Sequence, residues 1–235
     1  MDFDTGLFLD ALLSWPFLHG ALLTVALSLA SHGVGIVLGL GVALMGTSPR
    51  RPVRGLAAAY VWFFRGTPVL LLLLFVWNAL PQVVPAFRED WFTPFLAAWL
   101  ALSLNETAYQ SEINRAALLA VDDGQRAAAA ALGLTRLQAF LLVVLPQCLR
   151  VAVPPTVNEF ITLLKTTSLA SVISLQELLA TTTRATSASF RYTEFYAVAL
   201  VYYLAIVSLL TLGQARLERR LAVGEPRPGG QAKAH

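Results

Sequence analysis

Asp122 to Pro146 reads DDGQRAAAAALGLTRLQAFLLVVLP, and the fold turns on how this stretch is understood. It is the longest part of the middle of the chain that reads as soluble helix. Asp122 or Asp123 caps a helix start, because a carboxylate there accepts the free N–H groups of the first turn. Ala127 to Ala131 supply five consecutive residues of the strongest helix-forming type. Gly133 stands where a helix closes on a left-handed residue. Thr135 and Gln138 form a capping box that opens a second helix, which Pro146 ends or kinks. A short alanine-faced helix, a Gly turn and a longer apolar helix result. The same outline fits a DNA-reading helix-turn-helix, so the flanks have to decide.

The flanks are too apolar for a soluble domain. The chain has 235 residues, 57% hydrophobic and only 13% charged, against about 25% charged in soluble domains. It reads as an integral membrane protein, and a short helix with a small-residue face between spans reads as a knob that docks into another subunit. A net charge of +3 is too mild to imply nucleic acid. Cys148, the single cysteine, reads as a small core residue. His19, His32 and His235 are too scattered for a metal site.

Five spans are expected, over about 17–45, 56–80, 93–119, 153–175 and 195–212, each long enough to cross at about 1.5 Å per residue. Residues 1–220 form one membrane domain, with 122–146 as a cytoplasmic loop and 221–235 as a disordered, Pro- and Gly-rich tail. Gly35 and Gly39, one turn apart, permit close approach of another helix. The second span is interrupted at Arg65-Gly66-Thr67-Pro68, since Pro breaks the ladder and Gly loosens it. The basic groups Arg50, Arg51 and Arg54, and then Arg216, Arg219 and Arg220, mark the cytoplasmic side. With an acidic start lacking Lys and Arg, the N-terminus is expected outside and the C-terminus inside. A polar outer loop is expected over 181–191.

Polar residues inside the spans carry the functional reading, because a charge at mid-membrane costs about 3 kcal/mol and marks a path or a partner. The third span holds Asn105, Glu106, Tyr109, Gln110, Glu112, Asn114 and Arg115; Glu112 and Arg115 are spaced to pair on one face. On the fourth, Glu159, Thr162 and Thr166 follow helical spacing toward one cavity. Glu159 suits the ammonium or a cationic side chain of an amino acid, and Thr166 and Ser168 offer hydroxyls to its carboxylate. Arg65 either snorkels or lines the path. The alternative is that these groups only bridge helices. No hydrolase, metalloprotease or phosphate-loop motif appears, so the chain is not itself an enzyme and ATP binding falls to a separate polypeptide.

Several segments resemble one family. Gly124-Gln125, Ala128-Ala129, Leu132-Gly133 and Leu145-Pro146-Gln147 resemble the cytoplasmic EAA loop of ABC importer permeases, in their polar amino acid branch. Phe64 to Pro68, Ala108-Tyr109 with Glu112 and Arg115, and Asn158 to Leu169 each look like a family segment. The resemblance implies an all-α integral membrane fold of five transmembrane helices, the type I importer permease, in the bacterial inner membrane. It implies a cytoplasmic coupling helix with Gly124, Ala127, Ala128, Ala129 and Gly133 at the ATPase contact. Implied partners are ABC ATPase subunits that bind ATP and Mg, a second permease chain, the same or homologous, an external substrate-binding protein, an amino acid substrate and membrane lipid, but no nucleic acid. The chain departs from the pattern in one place: Ala127 replaces the acid that names the EAA motif. The competing class is a proton- or sodium-coupled secondary transporter with Glu106, Glu112 and Glu159 as ion sites. Such folds show internal repeats, and none is visible here.

Overall fold

The computed structural model describes residues 3–222, with side chains described through Arg219, and its regular structure there is entirely helical. The order is α1 (Thr5–Leu12), α2 (Trp15–Gly46), α3 (Arg51–Gly66), α4 (Val69–Leu74), α5 (Leu80–Val83), α6 (Pro94–Ala120), α7 (Asp123–Ala131), α8 (Arg136–Ala139), α9 (Leu145–Thr166), α10 (Leu178–Ser189) and α11 (Tyr192–Ala222). α2, the run Arg136–Ile173 and α11 are each long and apolar enough to cross a membrane. α3 and the segment Val69–Val83, bent by 98° to one another, are long and apolar enough only when taken together, as a broken span or a re-entrant loop. α6 has 27 residues, enough length to cross, and it carries many buried polar side chains as the hub of the packing. It packs along α2 and also touches α3, α4 and α9. Ala97, Ala98, Ala101 and Ala108 on it are fully buried, and their small side chains let the neighbours close in.

Gly35 and Gly39 make the α2–α6 approach possible, as their spacing predicts. A Cβ on Gly35 would collide with the Glu106 side chain, and one on Gly39 would lie 3.0 Å from both Gln110 Cβ and Ser111 N. The bend after α3 also falls where expected. Pro68 has no N–H, so the Phe64 carbonyl loses its helical donor four residues on. Asn105 Nδ2 on α6 donates to that carbonyl instead, at 2.8 Å. The Phe64 carbonyl is therefore satisfied at the bend, and a buried asparagine on α6 is explained.

Four features differ from expectation. Pro146 does not end its helix: Arg136–Ile173 is one 38-residue run, so the fourth span does not begin at 153. The reason is a π turn over Phe140–Val144. Leu145 N–H reaches back to the Phe140 carbonyl, so the ladder has already widened where Pro146 brings no donor. The same device precedes Pro81, where Leu80 N–H bonds the Phe75 carbonyl after a π turn over Phe75–Ala79. Leu-Pro after five π-helical residues thus recurs as a way to carry proline through a span. Next, the expected polar loop 181–191 is mostly the helix α10. Glu177 caps it, accepting from Leu179 N at 2.9 Å and Ala180 N at 2.7 Å. Thr182 and Thr183 donate to their own helix four residues back, which hides their polarity. Finally, α1 was not foreseen; Asp4 caps it, and Tyr202 of α11 donates to the Leu12 carbonyl at 2.7 Å. α11 runs through Ala222, beyond the expected end at 212. The tail from 223 onward lies outside the described residues.

Candidate functional site

Two polar regions stand out, one at the α7 end of the molecule and one half-way along the spans.

At the α7 end the local chemistry follows the sequence closely. Asp122 Oδ1 accepts from Gly124 N, Gly133 has φ of +76°, and both bonds of the Thr135–Gln138 capping box are present. Gly124, Ala127, Ala128 and Gly133 are exposed. Ala129 is not: it is 2% exposed and faces into the chain, so it is removed from the expected contact face. A run of five alanines carries no side-chain difference to say which face turns inward, and packing of α7 on the π turn decides it.

The second region lies where α2, α6 and α9 meet, with α3 packed on α6 beside it. On α6, Glu106 is 2% exposed and its Oε1 lies 2.8 Å from His32 Nδ1 of α2. The His32 ring packs against Phe160 of α9 at 5.1 Å between centroids. Gln110 Nε2 donates to Thr156 Oγ1 at 2.7 Å, joining α6 to α9. Glu112 and Arg115 form the expected pair, through two bonds of 2.7 and 3.0 Å. Two of the three acids expected as ion sites in a secondary transporter are therefore held in internal pairs.

The residues singled out on α9 behave differently. Glu159 is half-buried with no hydrogen bond to a described residue, and Thr162 and Lys165 are exposed. Thr162 donates to the Asn158 carbonyl at 3.2 Å and Thr166 to the Thr162 carbonyl at 2.9 Å. Each hydroxyl thus spends its proton on its own helix and keeps lone pairs free to accept. Ser168 donates to the Lys165 carbonyl but lies past the end of α9, in the 3-10 turn Thr167–Ile173. Glu159, Thr162 and Thr166 share one face; Ser168 leaves it. Arg65, on the last turn of α3, is exposed, and its guanidinium carbon stands 5.2 Å from the Tyr109 ring centroid. Its charge acts on both Glu159 and Glu112. A carboxylate and a guanidinium without salt-bridge partners, set beside accepting hydroxyls, suit a ligand with an ammonium and a carboxylate.

Glu177 was missed in the sequence. It is fully buried, caps α10, and accepts from Tyr203 Oη of α11 at 3.4 Å, while Leu178 N donates to Thr24 Oγ1 of α2 at 3.3 Å. Its signal was there: it is the one acid in the apolar stretch between Lys165 and Arg184.

Residues 35–223 match the family model described as binding-protein-dependent transport system inner membrane component. The arginine transport system permease protein ArtQ of Bacillus subtilis is 38% identical over 208 residues, covering 88% of this chain and 93% of that protein. The glutamine transport system permease protein GlnP of Escherichia coli K12 is 34% identical over 213 residues, covering 89% and 96%. Among solved structures, a crystal structure of an amino acid ABC transporter with histidines has a chain 33% identical, with a TM-score of 0.83 over 94% of this chain and 100% of that one. The MetNI methionine transporter in an inward-facing form, 22% identical with a TM-score of 0.72 over 88% and 96%, shares the fold.

Proposed function

The chain belongs to the family of binding-protein-dependent transport system inner membrane components, and from that premise we propose that it is the permease subunit of an ATP-driven importer of polar amino acids, basic ones included. It is a transport subunit and not a catalyst. Five segments of one membrane domain, residues 1–220, cross the inner membrane, the N-terminus outside and α7 and the C-terminus in the cytoplasm; the clusters at Arg50, Arg51 and Arg54 support this orientation. A second permease chain, the same or homologous, faces α9 and closes the cavity that one chain leaves open. Two ATPase subunits bind ATP and Mg and dock on α7 through Gly124, Ala127, Ala128 and Gly133, by shape, since Ala127 brings no charge. An external binding protein delivers the substrate. Glu159 takes the cationic group, Arg65 faces the carboxylate, and Thr162 and Thr166 line the path, without Ser168.

The observation that carries this reading is the open polar face of α9, where Glu159 has no hydrogen bond to a described residue while the neighbouring acids are paired. Transport follows if ATP and substrate favour different states of the assembly. Reconstitution of the permease with its ATPases in proteoliposomes tests it: uptake of labelled arginine, histidine or glutamine should require ATP. Uptake driven by a proton or sodium gradient without nucleotide would replace this reading with a secondary transporter.

A further inference from the structure

Behind α7, on the side away from its exposed small-residue face, lies a cavity of about 510 Å³. The ends of α2 and α6, α7 itself and the π turn before α9 enclose it. Buried Leu118 and Val144, with Leu44 and Phe140, give it an apolar lining, and the exposed Arg126 and Arg136 line it on the solvent side. No acid lines it. Arg126 is held by Asp123 Oδ1 at 3.3 Å and by the Leu118 carbonyl at 3.1 Å. The Arg136 guanidinium makes no bond to any described residue.

Two cations at the rim of an apolar slot, at the level where membrane helices end, match an anionic amphiphile. Basic pockets between membrane helices bind anionic lipid headgroups, because a guanidinium forks onto phosphate oxygens while the slot takes hydrocarbon. We propose that this cavity binds one membrane phospholipid with an anionic headgroup, its phosphate on Arg126 and Arg136 and the start of one acyl chain against Leu118 and Phe140. The lipid fills the space between α7 and the ends of α2 and α6, and so braces the short helix from behind. This goes beyond the transport reading and does not depend on the amino acid carried.

The probe is phosphatidylglycerol, and the readout is lipid retained by the purified full chain, measured by native mass spectrometry after extraction from vesicles of equal parts phosphatidylglycerol and phosphatidylethanolamine. The wild type should retain phosphatidylglycerol in preference. R136Q breaks no protein bond, so it should fold normally and bind about fivefold more weakly; R126Q/R136Q should lose about 25-fold, from about 1 kcal/mol per basic residue. Ala139→Trp, which fills the cavity with both charges kept, should abolish retention. R216Q/R219Q, an equal charge loss on α11, should retain lipid as the wild type does. An equal loss in R216Q/R219Q means diffuse surface charge and overturns the site. So does undiminished retention in R136Q or Ala139→Trp, equal retention of phosphatidylethanolamine, or displacement of the lipid by inorganic phosphate.

Discussion

α6 and α9 carry similar sets of polar residues and use them in opposite ways. On α6, Asn105, Glu106 and Gln110 are buried and bonded to other helices, to the Phe64 carbonyl, His32 and Thr156 respectively. On α9, among the described residues, Glu159 has no hydrogen bond and the Thr162 and Thr166 hydroxyls bond only to their own helix. Buried polar groups are mostly satisfied within a fold, and the α6 set mainly serves architecture, with Gln110 Oε1 the one atom of these three residues left buried without a described partner. A polar group left half-open in a membrane helix awaits something else. Polarity in a span therefore does not by itself mark a transport site; what distinguishes the two helices is whether the partner is already present in the chain.

The sharpest break of this contrast is His32→Leu. It leaves Glu106 buried without its partner, which costs about 3–5 kcal/mol. The thermal midpoint in detergent should fall by far more than for any change on the open face of α9. An unchanged midpoint would mean that α6 is not held by this pair. A smaller effect is expected at the α2–α6 contact. Gly39→Ala pushes a methyl against Gln110 and Ser111 and should cost about 1–3 kcal/mol, as overpacking does. Gly33 meets open space, so Gly33→Ala should be neutral or slightly stabilising; equal midpoints for the two variants would contradict the close approach. Smallest in stability is Ala128→Asp on the exposed face of α7, which should leave the midpoint alone and prevent co-purification of the ATPase, because the new charge is left unpaired in the interface. Ala129→Asp, facing inward, should instead destabilise the chain itself. If Ala128→Asp still binds ATPase, the docking face lies elsewhere.

What was legible in the sequence was local. The Asp122 and Thr135 caps, Gly133 and the break at Thr67-Pro68 depend on neighbours a few residues away, and each sits where its chemistry puts it. The Gly35–Gly39 spacing announced a contact but not its partner. The illegible part was set by distant packing. Glu106 meets His32 from 74 residues away, and nothing near either residue signals the other. Pro146 read as an end or a kink, and the continuous run was not legible because a π turn leaves no mark in an apolar run. Glu159, Thr162 and Thr166 were legible as a face by their spacing, and Ser168 was not excluded from it because the change to a 3-10 turn at Thr167 is a tertiary effect.

The central claim, that α9 is open because substrate completes it, is tested most directly by Glu159→Gln. The substitution keeps size and hydrogen bonding and removes the charge. Initial uptake of labelled arginine by the reconstituted variant complex should fall at least about tenfold, since a hydrogen bond to a charged group is worth about 1.5–3 kcal/mol. Its thermal midpoint and its ATPase assembly should match wild type, because Glu159 makes no bond to a described residue. If uptake of arginine, histidine and glutamine all survive at the wild-type rate, Glu159 is a helix-bridging residue and the account of α9 is wrong.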